Sequence, residues 1–505
     1  MSSLSASYAA TTLQLRAPSD RSLLALLTGI CFISAVIGRF CFLHRPFDSD
    51  AAMFIYMGRM VSTGGRMCFD LVDNKFPTVG LMTSIFYRLF GTCWAMYVIT
   101  QFALSMAAVW SLGRTARRIA GRRAALPAML FALVFLNFTT VVFGGFQLET
   151  IQVFFTVLGA GAGMEMLLGD QLTDAFAAGL CAGCGAMFKP TAIGILLPLA
   201  IALVIRKRRT GFNLLAISIG VLIPLSAALV YLQQTNLLRE MPGLYRQINT
   251  YAHETVIDAI QLLKPITALI LLGFPILVRG FVFRRDRTHF VLWPKTSVTL
   301  FLLMWLGIET TGVILQRRMY GYHFLPMIPP AALLFGIMPR FNRPASLAAA
   351  LLPMVALSLM QASVVIRATW PGRDRMAVSD YLITHAKPGD AVWMDDWPRL
   401  ILETHLRPAT RLPFTFLFTN YDDAGLDYSA MIIADLQKTK PQYIILPTHT
   451  DEYVATQIKY IVELNSRPLR RANYVTGWNR IEQYTLDHYE KESAVGNDTV
   501  YRRVE

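Results

Sequence analysis

Apolar stretches of close to twenty residues recur along the first 367 positions of this chain, separated by short polar links. They fall near 22–43, 93–112, 125–143, 149–168, 174–188, 191–205, 213–232, 264–281, 297–315, 323–339 and 345–367. Helices of that length can cross a hydrocarbon core of roughly 30 Å. The two segments flanking Lys189 are the shortest. Residues 76–91 are apolar but short, which predicts an interfacial segment rather than a span. Residues 233–263 place Leu237, Leu238, Leu244, Ile248, Val256, Ile257 and Ile260 in an amphipathic pattern, the mark of a helix on the membrane surface.

From Trp370 the pattern becomes that of a soluble unit. Residues 376–386 read as a helix, Lys387-Pro388-Gly389-Asp390 as a turn, 391–394 and 443–446 as short buried strands, and 451–464 as a helix. The predicted architecture is a polytopic α-helical membrane domain (residues 1–369, about eleven spans) followed by a small extracytoplasmic α/β domain (residues 370–505). The sequence contains no internal repeat and no low-complexity segment.

Basic residues set the orientation. Arg114, Arg117, Arg118, Arg122 and Arg123 crowd one link, Arg206, Lys207, Arg208 and Arg209 a second, and Arg279, Arg284, Arg285 and Arg287 a third. With eleven spans all three share a side with Arg16 and Arg21. That side is expected to be cytoplasmic, with 44–77 and everything after Arg367 outside. The polar N-terminus leads into a first span without a small-residue cleavage site, so that span is expected to be retained as an anchor. Of 505 residues, 54% are hydrophobic and 16% charged, and mean hydropathy is +0.43, too apolar for an ordinary soluble globule. The net charge of +14 lies between apolar spans, so it reports topology and not nucleic-acid binding. Usage rich in arginine and poor in lysine points to a bacterial inner membrane. Five of the six cysteines fall in or beside spans, and Cys181-Ala-Gly-Cys184 sits among small residues that suit close helix packing.

Chemistry concentrates in the first polar loop. Residues 47–77 carry Asp48, Asp50, Asp70, Asp73, Arg59, Arg66 and Lys75. Paired acids beside a fixed cation suit a reaction that deprotonates a hydroxyl and expels a phosphate. Asp50, Phe54, Tyr56, Arg59, Gly64, Asp70, Asp73, Lys75 and Pro77 follow one another at a spacing that resembles the first outer loop of the GT-C glycosyltransferases. That superfamily includes protein mannosyltransferases and the aminoarabinose transferase of lipid A, which take sugar from polyprenyl-phosphate donors. The chain departs from the family pattern where Ala51 follows Asp50, with the second acid two positions earlier as Asp48. Met67-Cys68 and Phe76 also replace commoner residues. The resemblance implies a general base at Asp50 or Asp48, a phosphate-contacting Lys75 with Arg59, and Asp73 near the sugar or acceptor. The bland alternatives are an N-cap carboxylate for Asp50, a surface ion pair for Asp73 and Lys75, and a snorkelling Arg59.

Three more outer positions join the candidates. Glu149 opens a span after Gly144-Gly145-Phe146-Gln147-Leu148, where relatives carry a residue of the sugar pocket; a charge that only suits a helix N-terminus is the rival. Lys189 of Lys189-Pro190 either meets a lipid phosphate or snorkels. The loop with Arg317, Arg318, Tyr320 and His323 resembles the family segment that closes over the donor phosphate, against ordinary headgroup contact. Glu309 lies inside a span as a further candidate.

No nucleotide-binding, zinc-protease or hydrolase motif is present, the histidines are too dispersed for a metal site, and dependence on a divalent metal ion stays open. The implied activity is inverting transfer of a sugar from a polyprenyl-phosphate donor to a lipid, glycan or protein acceptor outside the cytoplasm. A transporter or lipid flippase would instead place charges near mid-membrane on facing spans, often with repeats. A non-catalytic envelope assembly subunit would tolerate loss of the acidic loop.

Overall fold

A computed structural model describes residues 20–43, 48–142, 144–207, 209–253, 259–281, 296–317, 319–337, 344–369, 376–415, 427–464 and 468–504. Each apolar segment read from the sequence contains a helix. These are α1 (Asp20–Phe40), α4 (Trp94–Ala120), α5 (Arg122–Leu136), α6 (Leu148–Gly169), α7 (Leu172–Phe188), α8 (Leu196–Arg206), α9 (Thr210–Gln234), α11 (Ala259–Phe281), α12 (Thr296–Leu315), α13 (Ile328–Ile337) and α14 (Pro344–Thr369). Between them lie α2 (Ser49–Ser62), α3 (Pro77–Phe90) and α10 (Met241–His253). The chain is thus a polytopic α-helical membrane protein. Among the described residues seven helices are long and apolar enough to cross a membrane, fewer than the eleven spans expected. The shortfall lies in α5, α7 and the broken helices at 190–206 and 321–337. Each of the broken pair begins as a 3-10 turn, and α5 stops at Leu136 where 125–143 was expected to be continuous.

Small residues set the packing. A methyl group on Gly179 would strike the Ile217 carbonyl, and one on Gly220 the Phe176 carbonyl, so α7 and α9 meet backbone to backbone. This is the packing use expected of the segment around Cys181 and Cys184, both free thiols on α7. At the far end of α6, Arg118 pairs with Glu165 at 2.9 Å, and Arg206 donates to the Met166 carbonyl at 3.0 Å and lies 3.7 Å from Asp170. Glu149 is in the first turn at the other end. At 1.5 Å rise per residue the two ends are about 30 Å apart. Arg118 and Arg206, from the first two arginine-rich links, therefore lie at the end of α6 opposite Glu149, and Arg284, Arg285 and Arg287 of the third lie outside the described residues.

The C-terminal unit contains α15 (Ala377–His385), α16 (Trp397–Thr404), α17 (Tyr428–Thr439), α18 (Thr450–Leu464) and α19 (Pro468–His488). Its strands are β1 (Ala391–Trp393), β2 (Arg407–Pro408), β3 (Tyr443–Pro447), β4 (Tyr489–Val495) and β5 (Asp498–Arg503). They form one sheet in the order β2-β1-β3-β5-β4, parallel from β2 to β3 and antiparallel from β3 to β4. Val392 faces Tyr443, and Ile444 faces Tyr501. The expected strands are β1 and β3. The sheet is completed by β2 and the β4–β5 hairpin, which the apolar pattern did not single out because β4 carries Glu490, Lys491 and Glu492 on an edge. One apolar core lies among the long helices around Phe131, Trp305 and Phe335. A second runs without a break from Met53, Phe54 and Tyr56 of α2 to Trp393, Trp397 and Ile444 of the α/β unit.

Candidate active site

The loop between α1 and α3 is described from Asp48 onward. Its helix α2 has extended Asp48 at the N-cap, where the Asp48 side chain makes no capping hydrogen bond. Asp50 sits in the first turn, a favourable place for negative charge beside the helix N-terminus. Its Oδ2 accepts a hydrogen bond from the Tyr322 hydroxyl at 3.2 Å. Residue 322 lies in the short 3-10 helix Gly321–Met327, so this contact joins chain segments 272 positions apart.

Asp73 and Lys75 follow α2 on the same loop. The Asp73 carboxylate is buried, accepting from the Asn74 backbone N–H at 2.6 Å and lying 3.9 Å from Lys75 Nζ. Burial raises the Asp73 pKa, and Lys75 is the chief opposing influence. Burial also pulls Lys75 downward, but the carboxylates of Asp73, Asp50 and Glu149 outweigh it and raise its pKa, so the ammonium stays protonated. Lys75 Nζ donates to Asn74 Oδ1 at 2.9 Å.

Glu149 meets its cation through the fold. Pro190 cannot continue α7, and Lys189 turns to an extended conformation there. Its Nζ reaches Glu149 Oε1 at 2.5 Å, with His323 Nε2 4.0 Å from the same oxygen. Gly144 and Gly145 have φ of +76° and +78°, and a Cβ on Gly144 would strike the Asp48 carboxylate, so this turn requires glycine.

Asp50, Lys75, Glu149, Lys189, Tyr320 and His323 line one cavity of about 320 Å³. Its other walls are largely apolar, supplied by Phe54, Phe76, Val79, Leu148, Phe188 and by Ile248 of α10. The cavity thus combines two ammonium groups and two carboxylates with aromatic and aliphatic walls, the mixture of a few polar groups in an apolar lining common in ligand sites. Not every candidate reaches it. Asp48 packs against Gly144 and Asp73 lies 3.9 Å from Lys75, and neither is among the residues lining the cavity. Arg59 Nη1 donates instead to the Ile401 carbonyl of α16 at 3.3 Å. Arg317 is half-buried with φ of +58° and outside the lining, and Arg318 lies outside the described residues. Glu309 is buried in α12, where it accepts from the Trp305 indole at 3.0 Å. Among the described residues no group of three or more His, Cys, Asp or Glu is placed to hold a metal ion.

Asn74, Gln147, Thr191 and Tyr322 also line the cavity and were not singled out from sequence. Each is a neighbour of a candidate. Polar neighbours of a charged residue were the available signal, but it does not say which of them turn inward.

Residues 74–232 match the family described as dolichyl-phosphate-mannose-protein mannosyltransferase. Across the whole chain the fold is similar to that of ArnT from Cupriavidus metallidurans, solved bound to undecaprenyl phosphate. The TM-score is 0.54 at 13% identity, over 95% of this chain and 97% of that one. It is also similar to the apo oligosaccharyltransferase of Archaeoglobus fulgidus, with TM-score 0.51 at 12% identity over 85% and 70% of the two chains. The chain has a GT-C fold. The resemblance read from the acidic loop is borne out at that level. Within this GT-C fold the matched segment opens with Asn74 and Lys75 and contains Glu149 and Lys189, so three of the four charged residues lining the cavity fall inside it. The same oligosaccharyltransferase tethered to an acceptor peptide gives TM-score 0.50 at 12% identity, over 95% and 74% of the two chains. No curated protein sequence matches the chain.

Proposed function

We propose that this protein transfers a sugar from a polyprenyl-phosphate donor to a lipid, glycan or protein acceptor. The observation that carries the reading is the single cavity in which Asp50, Lys75 and the Glu149–Lys189 pair share a space with apolar walls. Support for the donor class comes from the GT-C fold and from ArnT, the neighbour solved with undecaprenyl phosphate. The acceptor hydroxyl oxygen attacks the anomeric carbon as the bond from that carbon to the phosphate oxygen breaks, which inverts the configuration. Asp50 takes the hydroxyl proton as general base, held by the Tyr322 hydroxyl, with Asp48 as a supporting acid. Lys75 meets the departing phosphate as it gains charge, aided by Lys189, Tyr320 and the segment carrying Arg317 and Arg318. Glu149 and His323 face the sugar, with Asp73 holding Lys75. Arg59 steadies α2 from the α/β side. Among the described residues no group of three or more His, Cys, Asp or Glu could hold a metal ion, and no step is assigned to one.

Arg118 and Arg206, from the first two arginine-rich links, lie at the end of α6 away from Glu149. Because basic links favour the cytoplasmic side, our reading puts the reaction and residues 370–505 outside the cytoplasm and the N-terminus inside, in a bacterial inner membrane. The direct test is purified protein in nanodiscs with undecaprenyl phosphate as the probe. Saturable binding that Lys75→Met weakens supports the reading, and absence of binding by the wild-type protein overturns it. Mass spectrometry of envelope glycans from a deletion strain then identifies what is transferred.

A further inference from the structure

The α/β unit grips both arms of the loop that bears Asp50 and Lys75. On α2, the Ser49 hydroxyl donates to the Asp396 carboxylate, the Tyr56 ring packs edge-on against Trp397 with centroids 4.7 Å apart, and Arg59 donates to the Ile401 carbonyl. At 3.6 residues per turn, positions 49, 56 and 59 lie on one side of the helix. The other arm is held by backbone. Val72 N–H donates to the Arg411 carbonyl at 2.8 Å, one residue before Asp73.

These two grips share a fully buried residue. The Trp397 indole N–H donates to the Leu412 carbonyl at 2.8 Å, and Leu412 is the neighbour of Arg411. Arg411 is itself pinned to Asp435 through its backbone N–H at 3.1 Å and its guanidinium at 3.3 Å. A continuous path therefore runs from α2 through Tyr56, Trp397, Leu412 and Arg411 to Val72, and so to Asp73 and Lys75. Asp50 has one direct tie across the cavity, to Tyr322. The residues that meet α2 and Val72 lie more than 300 positions further along the chain.

We infer that the C-terminal α/β unit sets the separation of Asp50 and Lys75, with Trp397 the positioning residue at the centre of the grip. The functional meaning rests on the transferase reading; the mechanical coupling does not.

The test compares full-length wild-type protein in nanodiscs with Trp397→Phe and Ser49→Ala. The first keeps an aromatic ring against Tyr56 but loses the N–H to Leu412. The second removes the bond to Asp396 from an exposed position. Hydrogen–deuterium exchange is followed over 48–62 and 71–76, together with affinity for undecaprenyl phosphate and thermal midpoint. Trp397→Phe is expected to raise exchange in both segments and weaken undecaprenyl phosphate about tenfold, or about 1.4 kcal/mol. Ser49→Ala is expected to raise exchange over 48–62. A rise confined to 394–415 in Trp397→Phe overturns the inference, as does wild-type affinity in a variant whose loop exchange has risen. Should Trp397→Phe fail to fold, unchanged exchange over 48–62 in Ser49→Ala overturns it alone. If the wild-type protein does not bind undecaprenyl phosphate, the transferase reading falls while the exchange measurements still decide the coupling.

Discussion

Replacing Lys75 with Met removes one positive charge from the cavity and keeps most of the side chain's length. In the resting protein that charge faces Asp73 Oδ2 at 3.9 Å, and the Lys75 side chain is 32% exposed. So long and partly screened a pair contributes about 0–1 kcal/mol to stability. Burial raises the Asp73 pKa and Lys75 is the chief opposing influence, so losing Lys75 moves that pKa further up and eases the cost of the buried acid. Stability should fall little. Turnover should fall much more, because the phosphate gains charge as its bond to the sugar breaks. Removing one preorganised group aimed at developing charge costs about 10²–10³ in rate, or about 2.7–4 kcal/mol. Lys75→Arg keeps the charge and should retain more activity than Lys75→Met. Sugar transfer would be measured in membranes at matched protein levels, with thermal midpoints on the purified variants. Wild-type turnover by Lys75→Met would refute the assignment, and so would a loss of turnover matched by an equal loss of folded protein.

Three further outcomes are expected. Asp50→Asn keeps side-chain size and should lower transfer by about 10²–10⁴, whereas Asp48→Asn should lower it less; the reverse order in the same membrane assay would move the base to Asp48. A reporter fused after Trp370 should be active only outside the cytoplasm, and activity inside would overturn the orientation. Burial raises the pKa of Asp396 to about 8 despite the Ser49 bond, with Asp395 and Asp48 adding to the rise and Arg399 opposing it. A carboxyl raised in the folded state adds stability that is full at low pH and lost as pH climbs through about 8. The wild-type thermal midpoint should therefore drop more between pH 5 and pH 9 than that of Asp396→Asn, and parallel curves would remove Asp396 from the account.

Much of the fold was legible because lipid forces a long apolar run to be a helix, and each such run in this sequence is one. What the pattern concealed was length. The 3-10 turns at Pro190–Ile195 and Gly321–Met327 take up the starts of two apolar runs that hydropathy alone reads as regular helix. In the α/β unit, β1 and β3 were visible because they are buried on both faces, whereas β4 is a charged edge. Asp50, Lys75, Glu149 and Lys189 could each be picked out as charges bordering apolar segments. Their assembly could not, because Glu149 and Lys189 are 40 positions apart and Tyr322 is 272 from Asp50. Arg59 shows the opposite failure. Its place in the loop pattern suggested a phosphate contact, yet its guanidinium is turned to the Ile401 carbonyl, where α16 covers that side of α2.

The same geometry explains why so many charges can be held beside a membrane. An isolated glutamate at the start of a span is costly, and so is a lysine at the break of another. Brought to 2.5 Å, each becomes the other's compensation. Such a pair is strongly committed, since removing one partner strands the other in a poorly solvated site. Lys75 differs, because its nearest carboxylate is 3.9 Å away and its side chain opens partly to the cavity. Of the two ammonium groups, Lys75 is therefore the less closely committed to a carboxylate, while Lys189 is paired with Glu149. The cavity thus holds one close ion pair, Glu149–Lys189, beside a more loosely held cation and carboxylate, Lys75 and Asp50. That division of labour is the physical ground for placing proton abstraction and phosphate departure on Asp50 and Lys75.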